Sequence, residues 1–271
     1  MLSIVRKNYT HNGRKLMAIM SVSFLWAFYS HALLAQELVL TTGINAPLVR
    51  SGDNEGFVES VVEEAFRRLG IKASIVSEPS KLSLINANRG KDDGVALRIF
   101  GIEQIYKNLI RVPEVIMCSE FVAYSTVAYP DISSWSDLSG YNVSYVNGWR
   151  IFENNVANEG RVIKSDSAEF LFSMLRENKT EFVLYEKWQG SLLAESKGIS
   201  SVVKNKLPIR PKKMYIYLHK KHSHLIDGVA MSMRKMKSDG TYQKIYNNTL
   251  KKYASSDQVS GYKANILSGC E

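Results

Sequence analysis

Arg98 closes a run, Gly94 to Ile99, that is otherwise apolar. A guanidinium is a planar fork of donors that suits a carboxylate, and at the end of a strand it would face the cleft onto which that strand opens. A surface ion pair with Glu103 or Asp93 is the competing reading. Gly148-Trp149-Arg150 precedes a short helical pattern, where unpaired backbone N–H groups and the helix dipole could receive a ligand anion. The alternative there is a plain strand-to-helix turn with Trp149 packed on Phe152. Tyr124, Trp149 and Tyr185 fall at strand ends and could wall a ligand, although with 14 Tyr in the chain most serve the core or a lobe surface. His219, His222 and His224 alternate with Lys220 and Lys221 but lack zinc spacing and an accompanying acid or Cys. They read as a solvated helix start, and no metal site is expected. There is no G-x-S-x-G, H-E-x-x-H, G-x-G-x-x-G or phosphate-cradling Gly loop, so no catalytic residue and no cofactor is assigned.

The elements that must position these residues belong to an ordinary globular chain: 271 residues, 45% hydrophobic, 23% charged, 17 Gly and 6 Pro. That length allows one large domain or two modest lobes and excludes long solenoids. The net charge of +9 overstates the basicity of the folded part. Residues 1–35 hold Arg6, Lys7, Arg14 and Lys15 and no acid, and removing those four of 35 leaves 31 basic against 26 acidic residues, a charge of +5. Arg14-Lys15 is followed by the apolar run Leu16 to Phe28 and then by small residues, the pattern of a secretory signal peptide. Cleavage after Ala32 or after Ala35 fits it, and an uncleaved anchor is the alternative. Export makes the basic run Lys204 to Lys221 a solvent face or a docking surface for an acidic partner rather than a nucleic-acid patch. It also permits one disulfide between the two cysteines, Cys118 and Cys270, which would tie the tail to mid-chain. Two unpaired thiols, with Cys118 buried beside Met117 and Phe121, is the other possibility.

Glu37 to Thr42 reads as a strand, Phe57 to Leu69 as an amphipathic helix stopped by Gly70, Ile71 to Val76 as a strand, Leu82 to Asn88 as a short helix and Gly94 to Ile99 as a third strand. Val115 to Ala128 is an unusually long extended stretch, expected to leave one lobe and enter another. Tyr141 to Val146 restarts the strand pattern. Asp166 and Glu169 form a capping-box pair ahead of a helix, and a strand runs from Glu181 to Tyr185. Met214 to Leu218 looks like a return strand before two final amphipathic helices. Strands alternating with helices predict an α/β architecture.

The order of these signals resembles the periplasmic solute-binding proteins of family 3, receptors for polar amino acids in ABC importers. The resemblance rests on Gly43 to Pro47, Gly56-Phe57, Asn88-x-Gly90-x-x-Asp93-Gly94, Trp135-x-Asp137-Leu138-x-Gly140, Gly148 and Lys237-x-Asp239-Gly240-Thr241-Tyr242, spread over residues 37–253. It implies a two-lobed periplasmic-binding-protein-like α/β fold with two crossover strands at a hinge. On that plan residues 1–35 are the signal peptide, 36–124 with 218–271 form lobe 1, and 125–217 form lobe 2. The family's T-x-x-R carboxylate clamp is absent, because the region reads Ile102-Glu103-Gln104-Ile105; Arg98 is the candidate replacement. Glu186, five residues after Glu181, matches the acid that receives the ligand's amino group. The resemblance implies a periplasmic, monomeric binding protein for a small polar solute, with an ABC permease as partner and no lasting membrane insertion. An orphan sensor of the same fold, and after it a periplasmic lyase, are the alternatives.

Overall fold

A computed structural model describes residues 37–156, 161–254 and Cys270. The expected signal peptide lies outside the described residues. From Glu37 the chain alternates strand and helix: β1 (Glu37–Thr42), α1 (Phe57–Arg67), β2 (Lys72–Ser77), α2 (Ser80–Arg89), β3 (Gly94–Ile99) and β4 (Leu109–Ser119). It continues through β5 (Phe121–Ser125), β6 (Val143–Val146), α3 (Arg150–Glu153), β7 (Val162–Ser165), α4 (Ala168–Arg176), β8 (Phe182–Glu186), α5 (Lys187–Ser196) and β9 (Val203–Lys206). The last described elements are β10 (Lys212–His219), α6 (Ile226–Ser238), α7 (Thr241–Thr249) and α8 (Lys251–Ala254).

The strands form two five-stranded sheets, ordered β2-β1-β3-β10-β4 and β7-β6-β8-β5-β9. In each sheet three strands run parallel: β1 with β2 and β3, β6 with β7 and β8. A fourth strand, β10 or β5, runs antiparallel beside them. The two lobes therefore repeat one plan, with β3 and β8 in equivalent places. Ligands of open α/β sheets gather at the carboxyl ends of the parallel strands, which are also the ends where Arg98 and Glu186 lie.

Local sequence explains the supporting elements. Phe57, Val61 and Ala65, with Val58, Val62 and Phe66, recur at four-residue spacing and are all buried on α1. Arg68, just past its end, bonds Glu64 Oε1 and Asp239 Oδ2, each at 2.7 Å, pinning the helix to the α6–α7 joint. The β5 to β9 sheet builds its own core on Tyr124, Tyr145, Phe152, Phe172 and Phe182, all fully buried. Cys118 near the end of β4 is disulfide-bonded to Cys270, with 5.8 Å between their Cα atoms.

Several details depart from expectation. Val115 to Ala128 is two strands: β4 stops at Ser119 and β5 starts at Phe121 in the other sheet. Glu120 between them is fixed by Lys187, whose N–H donates to its carbonyl at 2.9 Å and whose Nζ lies 3.2 Å from Oε2. The chain returns between Lys206 and Lys212 through Pro208 and Pro211. The sheets thus change over before the divisions at 124/125 and 217/218 drawn from sequence. The cap of α4 is Ser167, which accepts from Phe170 N; Asp166 instead accepts from Asn147 Nδ2 at 3.1 Å. His222 is buried, with Nε2 2.7 Å from Asp93 Oδ1, so that part of the histidine cluster is not solvated.

Candidate functional site

A bulge makes the first half of the site. The pairing of β3 with β10 shifts register between Tyr215 and Tyr217, and Leu97 takes φ = 56°. Successive residues of a regular strand face opposite sides, yet Leu97 and Arg98 both line the same cavity. The bulge re-aims the strand at this point, at a cost of about 1–2 kcal/mol for a left-handed Leu. Arg98 is only 7% exposed. Its Nη1 donates to Ser80 Oγ at 2.6 Å, and its Nη2 donates to the Ser80 carbonyl at 3.2 Å and to Ser83 Oγ, while Nε is buried without a partner. Among the described residues Arg98 forms no ion pair, neither with Glu103 nor with Asp93. Burial pushes its pKa down to about 10, so it remains a cation at neutral pH. Three of the five guanidinium N–H groups are thus given to the α2 serines, and the Nε–H is among those left for a ligand.

Glu186 makes the second half, at the end of β8. It is 1% exposed and caps α5. Its Oε2 accepts from Gln189 N at 3.0 Å and Gln189 Nε2 at 3.2 Å, whereas Oε1 is buried without a partner. Burial pushes its pKa up to about 7. Arg98 and Glu186 face one cavity of about 50 Å³ between the lobes. Ile44, Leu84, Ile99, Ile102 and Met214 wall it from the first lobe, and Phe121, Trp149 and Ile151 from the second. Ser119 at the crossover also lines it and carries a buried hydroxyl with no partner. A buried charge is costly unless paired, so the cavity presents two unmet demands of opposite sign.

The Gly148 loop behaves otherwise than expected. Gly148 N donates to Glu153 Oε1 at 3.0 Å, and Arg150 Nη1 lies 2.9 Å from Glu153 Oε2. Glu153 on the single-turn α3 thus takes up the Gly148 N–H and one Arg150 Nη, while Arg150 Nε is buried without a partner. The loop serves contact between the lobes: Gly148 has φ = 83°, and a Cβ there would lie 2.7 Å from Lys81 N on α2. Trp149 and Arg150 still line the cavity.

The aromatic candidates divide. Trp149 stacks on Tyr185 with centroids 4.6 Å apart and planes at 10°, and also on Phe152 at 6.0 Å. Tyr185 is fully buried, accepts from Asn45 Nδ2 at 3.1 Å and donates to Gln189 Oε1 at 3.4 Å. Asn45 N donates to the same Gln189 oxygen at 2.7 Å, giving a second bond across the lobes. Tyr124 is a core residue rather than a wall of the cavity, with its hydroxyl donating to the Lys187 carbonyl at 2.7 Å and its ring against Phe172. Sequence reasoning missed Ser80, Ser83, Ser119 and Gln189. Of these only Gln189 carried a signal, its three-residue spacing from Glu186 at a helix start. Among the described residues no group of three metal-ligating side chains occurs, and no helix is long and apolar enough to cross a membrane.

No family model matches the chain. A protein of uncharacterised role from Shewanella oneidensis (strain MR-1) is 24% identical over 194 residues, 69% of this chain and 74% of its own length. A histidine kinase sensor domain with similarity to periplasmic binding proteins superposes with a TM-score of 0.69 at 12% identity, covering 79% of this chain and 96% of that one. The substrate-binding protein of an amino acid ABC transporter gives 0.66 at 16%, covering 79% and 99%. An ancestral arginine-binding protein bound to arginine gives 0.65 at 18%, covering 79% and 98%. The chain has the two-lobed α/β fold of the periplasmic binding proteins.

Proposed function

We propose that this chain is an extracytoplasmic binding protein that takes a small zwitterionic, amino-acid-like solute between its lobes and presents it to an ABC importer. The observation that carries the reading is the pair Arg98 and Glu186: buried, of opposite sign, one from each lobe, each with an unpartnered atom, on the walls of one cavity. A zwitterion answers both demands at once, its carboxylate at Arg98 and its ammonium at Glu186. Because the two groups belong to different lobes, such a ligand favours the closed arrangement through its differential affinity for it. The work is recognition, with no bond made or broken. The fold shared with amino-acid-binding ABC receptors supports this reading, and the secretory pattern of the first 35 residues supports export.

Calorimetry with the solute identified by native mass spectrometry tests it. Arg98→Ala and Glu186→Ala each remove a charge-assisted contact worth about 1.5–3 kcal/mol, so Kd rises about 10- to 150-fold while the melting transition remains cooperative. Parental affinity in both variants refutes the reading. A sensor role is the second reading, favoured by the likeness to the histidine kinase sensor domain. Uptake of the identified solute by cells lacking the gene separates the two: lost uptake supports transport, and unchanged uptake supports sensing.

A further inference from the structure

Four polar atoms on residues lining the cavity are buried without a partner: Arg98 Nε, Arg150 Nε, Ser119 Oγ and Glu186 Oε1. The first two belong to cations of opposite lobes. Arg98 spends its bonded N–H groups on neutral serine oxygens, and Arg150 gives only Nη1 to Glu153, at 2.9 Å. Tyr106, between β3 and β4, feels both: burial pushes its hydroxyl pKa up, and the charges of Arg150 and Arg98 pull against that rise. Two like charges across a cleft oppose its closure until an anion lies between them. An arginine N–H can only donate, an ionised Glu186 Oε1 can only accept, and the Ser119 hydroxyl can do either. A carboxylate offers two oxygens with about four lone-pair sites, enough for both arginines at once. About 50 Å³ admits roughly three to five water-sized groups at 10–15 Å³ each, which the carboxylate, Cα and ammonium of one amino acid fill. The cavity has room for one carboxylate between the two guanidinium groups, not for two.

We propose that Arg150 grips the solute from the second lobe: its Nε–H and that of Arg98 meet the same carboxylate, which thereby ties the lobes together. The proposal rests on the zwitterion reading above and adds a second cation at the solute's anionic end. Closure then requires a free carboxylate. A carboxamide of the same shape is neutral there and leaves the two guanidinium groups facing each other unscreened.

The test is calorimetry on protein stripped of bound solute by unfolding and refolding. The standard amino acids are screened, and the tightest binder is compared with its own carboxamide. Arg150→Met keeps the length of the side chain but removes the N–H groups, and should lower the preference for the free acid about 10- to 100-fold. Arg150→Lys should restore only part of that preference, because a point charge lacks the planar fork. Arg150 also holds Glu153, so a loss shared equally by acid and amide marks a structural role and overturns the proposal. If melting curves show that the Arg150 variants do not fold, or if they bind neither compound, Glu153→Gln decides. It keeps an acceptor for Gly148 N and frees Arg150 from its ion pair, so the preference for the free acid should rise roughly 2- to 5-fold; an unchanged preference overturns the proposal. If Arg98→Ala lowers the preference and Arg150→Met does not, the zwitterion reading stands and this proposal falls. If no standard amino acid binds the parent, the zwitterion reading falls and the proposal with it.

Discussion

Replacing Glu186 by Gln should change how the stability of the ligand-free protein depends on pH. The carboxyl is buried, one oxygen has no donor, and its pKa rises from an ordinary 4.5 to about 7. Between those values the folded chain holds a proton that the unfolded chain has released. Stability then falls with rising pH by about 1.4 kcal/mol per unit. The loss begins near pH 4.5, is complete once pH passes 7, and totals about 3 kcal/mol. Gln has nearly the same shape, can accept the same bonds from Gln189 and never ionises, so Glu186→Gln lacks this loss. Urea unfolding of both proteins from pH 4 to 8.5 reads the difference directly, because titrations common to both cancel. The variant should be about equal to the parent at pH 4 and more stable by about 3 kcal/mol at pH 8. Parallel curves across the range would show that Glu186 is solvated or already paired, and the argument for an unmet charge would fail with it.

Gly148→Ala places a Cβ 2.7 Å from Lys81 N at φ = 83°, so the lobes must part there; small-angle scattering should show a larger radius of gyration with ligand present, and calorimetry an affinity at least about 10-fold weaker. Cys118→Ser should destabilise the fold by about 2–5 kcal/mol, as expected for opening a long covalent loop, and thiol titration of the denatured, unreduced parent should find no free sulfhydryl. Tyr124→Phe removes the bond to the Lys187 carbonyl and should cost about 1 kcal/mol in a denaturant melt with no change in ligand affinity, separating a core tyrosine from a site residue.

Much of the architecture was legible because it rests on local periodicity. The four-residue spacing on α1 and the alternation in β10 need no tertiary information to read. Arg98 stood out for a similar reason, as a lone charge in an apolar strand, and Glu186 through its spacing from Glu181. What holds Arg98 was hidden, since Ser80 and Ser83 are common residue types that acquire meaning only when a bulge 15 residues later turns the guanidinium onto α2. At the Gly148 loop a helix start predicts free amides, and the carboxylate of Glu153 that accepts from Gly148 N is visible only once the turn is folded. Tyr124 and Tyr185 have similar sequence contexts on strands β5 and β8, and only the sheet order decides that one faces the core of its lobe and the other the cleft. Val115 to Ala128 read as a single strand because Ser119-Glu120, where the chain changes sheets, carries neither Gly nor Pro and is flanked by apolar residues on both sides.

The placement of β10 bears on the order in which the molecule can assemble. It lies between β3 and β4 in its sheet, although 112 residues separate it from β3 and 92 from β4 in the chain. Until residues 212–219 are made, the first lobe consists of a three-stranded parallel fragment and a detached β4, with nothing to bridge them. The β5 to β9 sheet is complete by Lys206, from one uninterrupted stretch of chain. During synthesis from the N-terminus the second lobe can therefore mature while the first still waits for its central antiparallel strand. Such long-range closure slows folding. A truncation before Lys212 should leave the second lobe as the folded remnant, whereas one just after His219 still allows the first sheet to close.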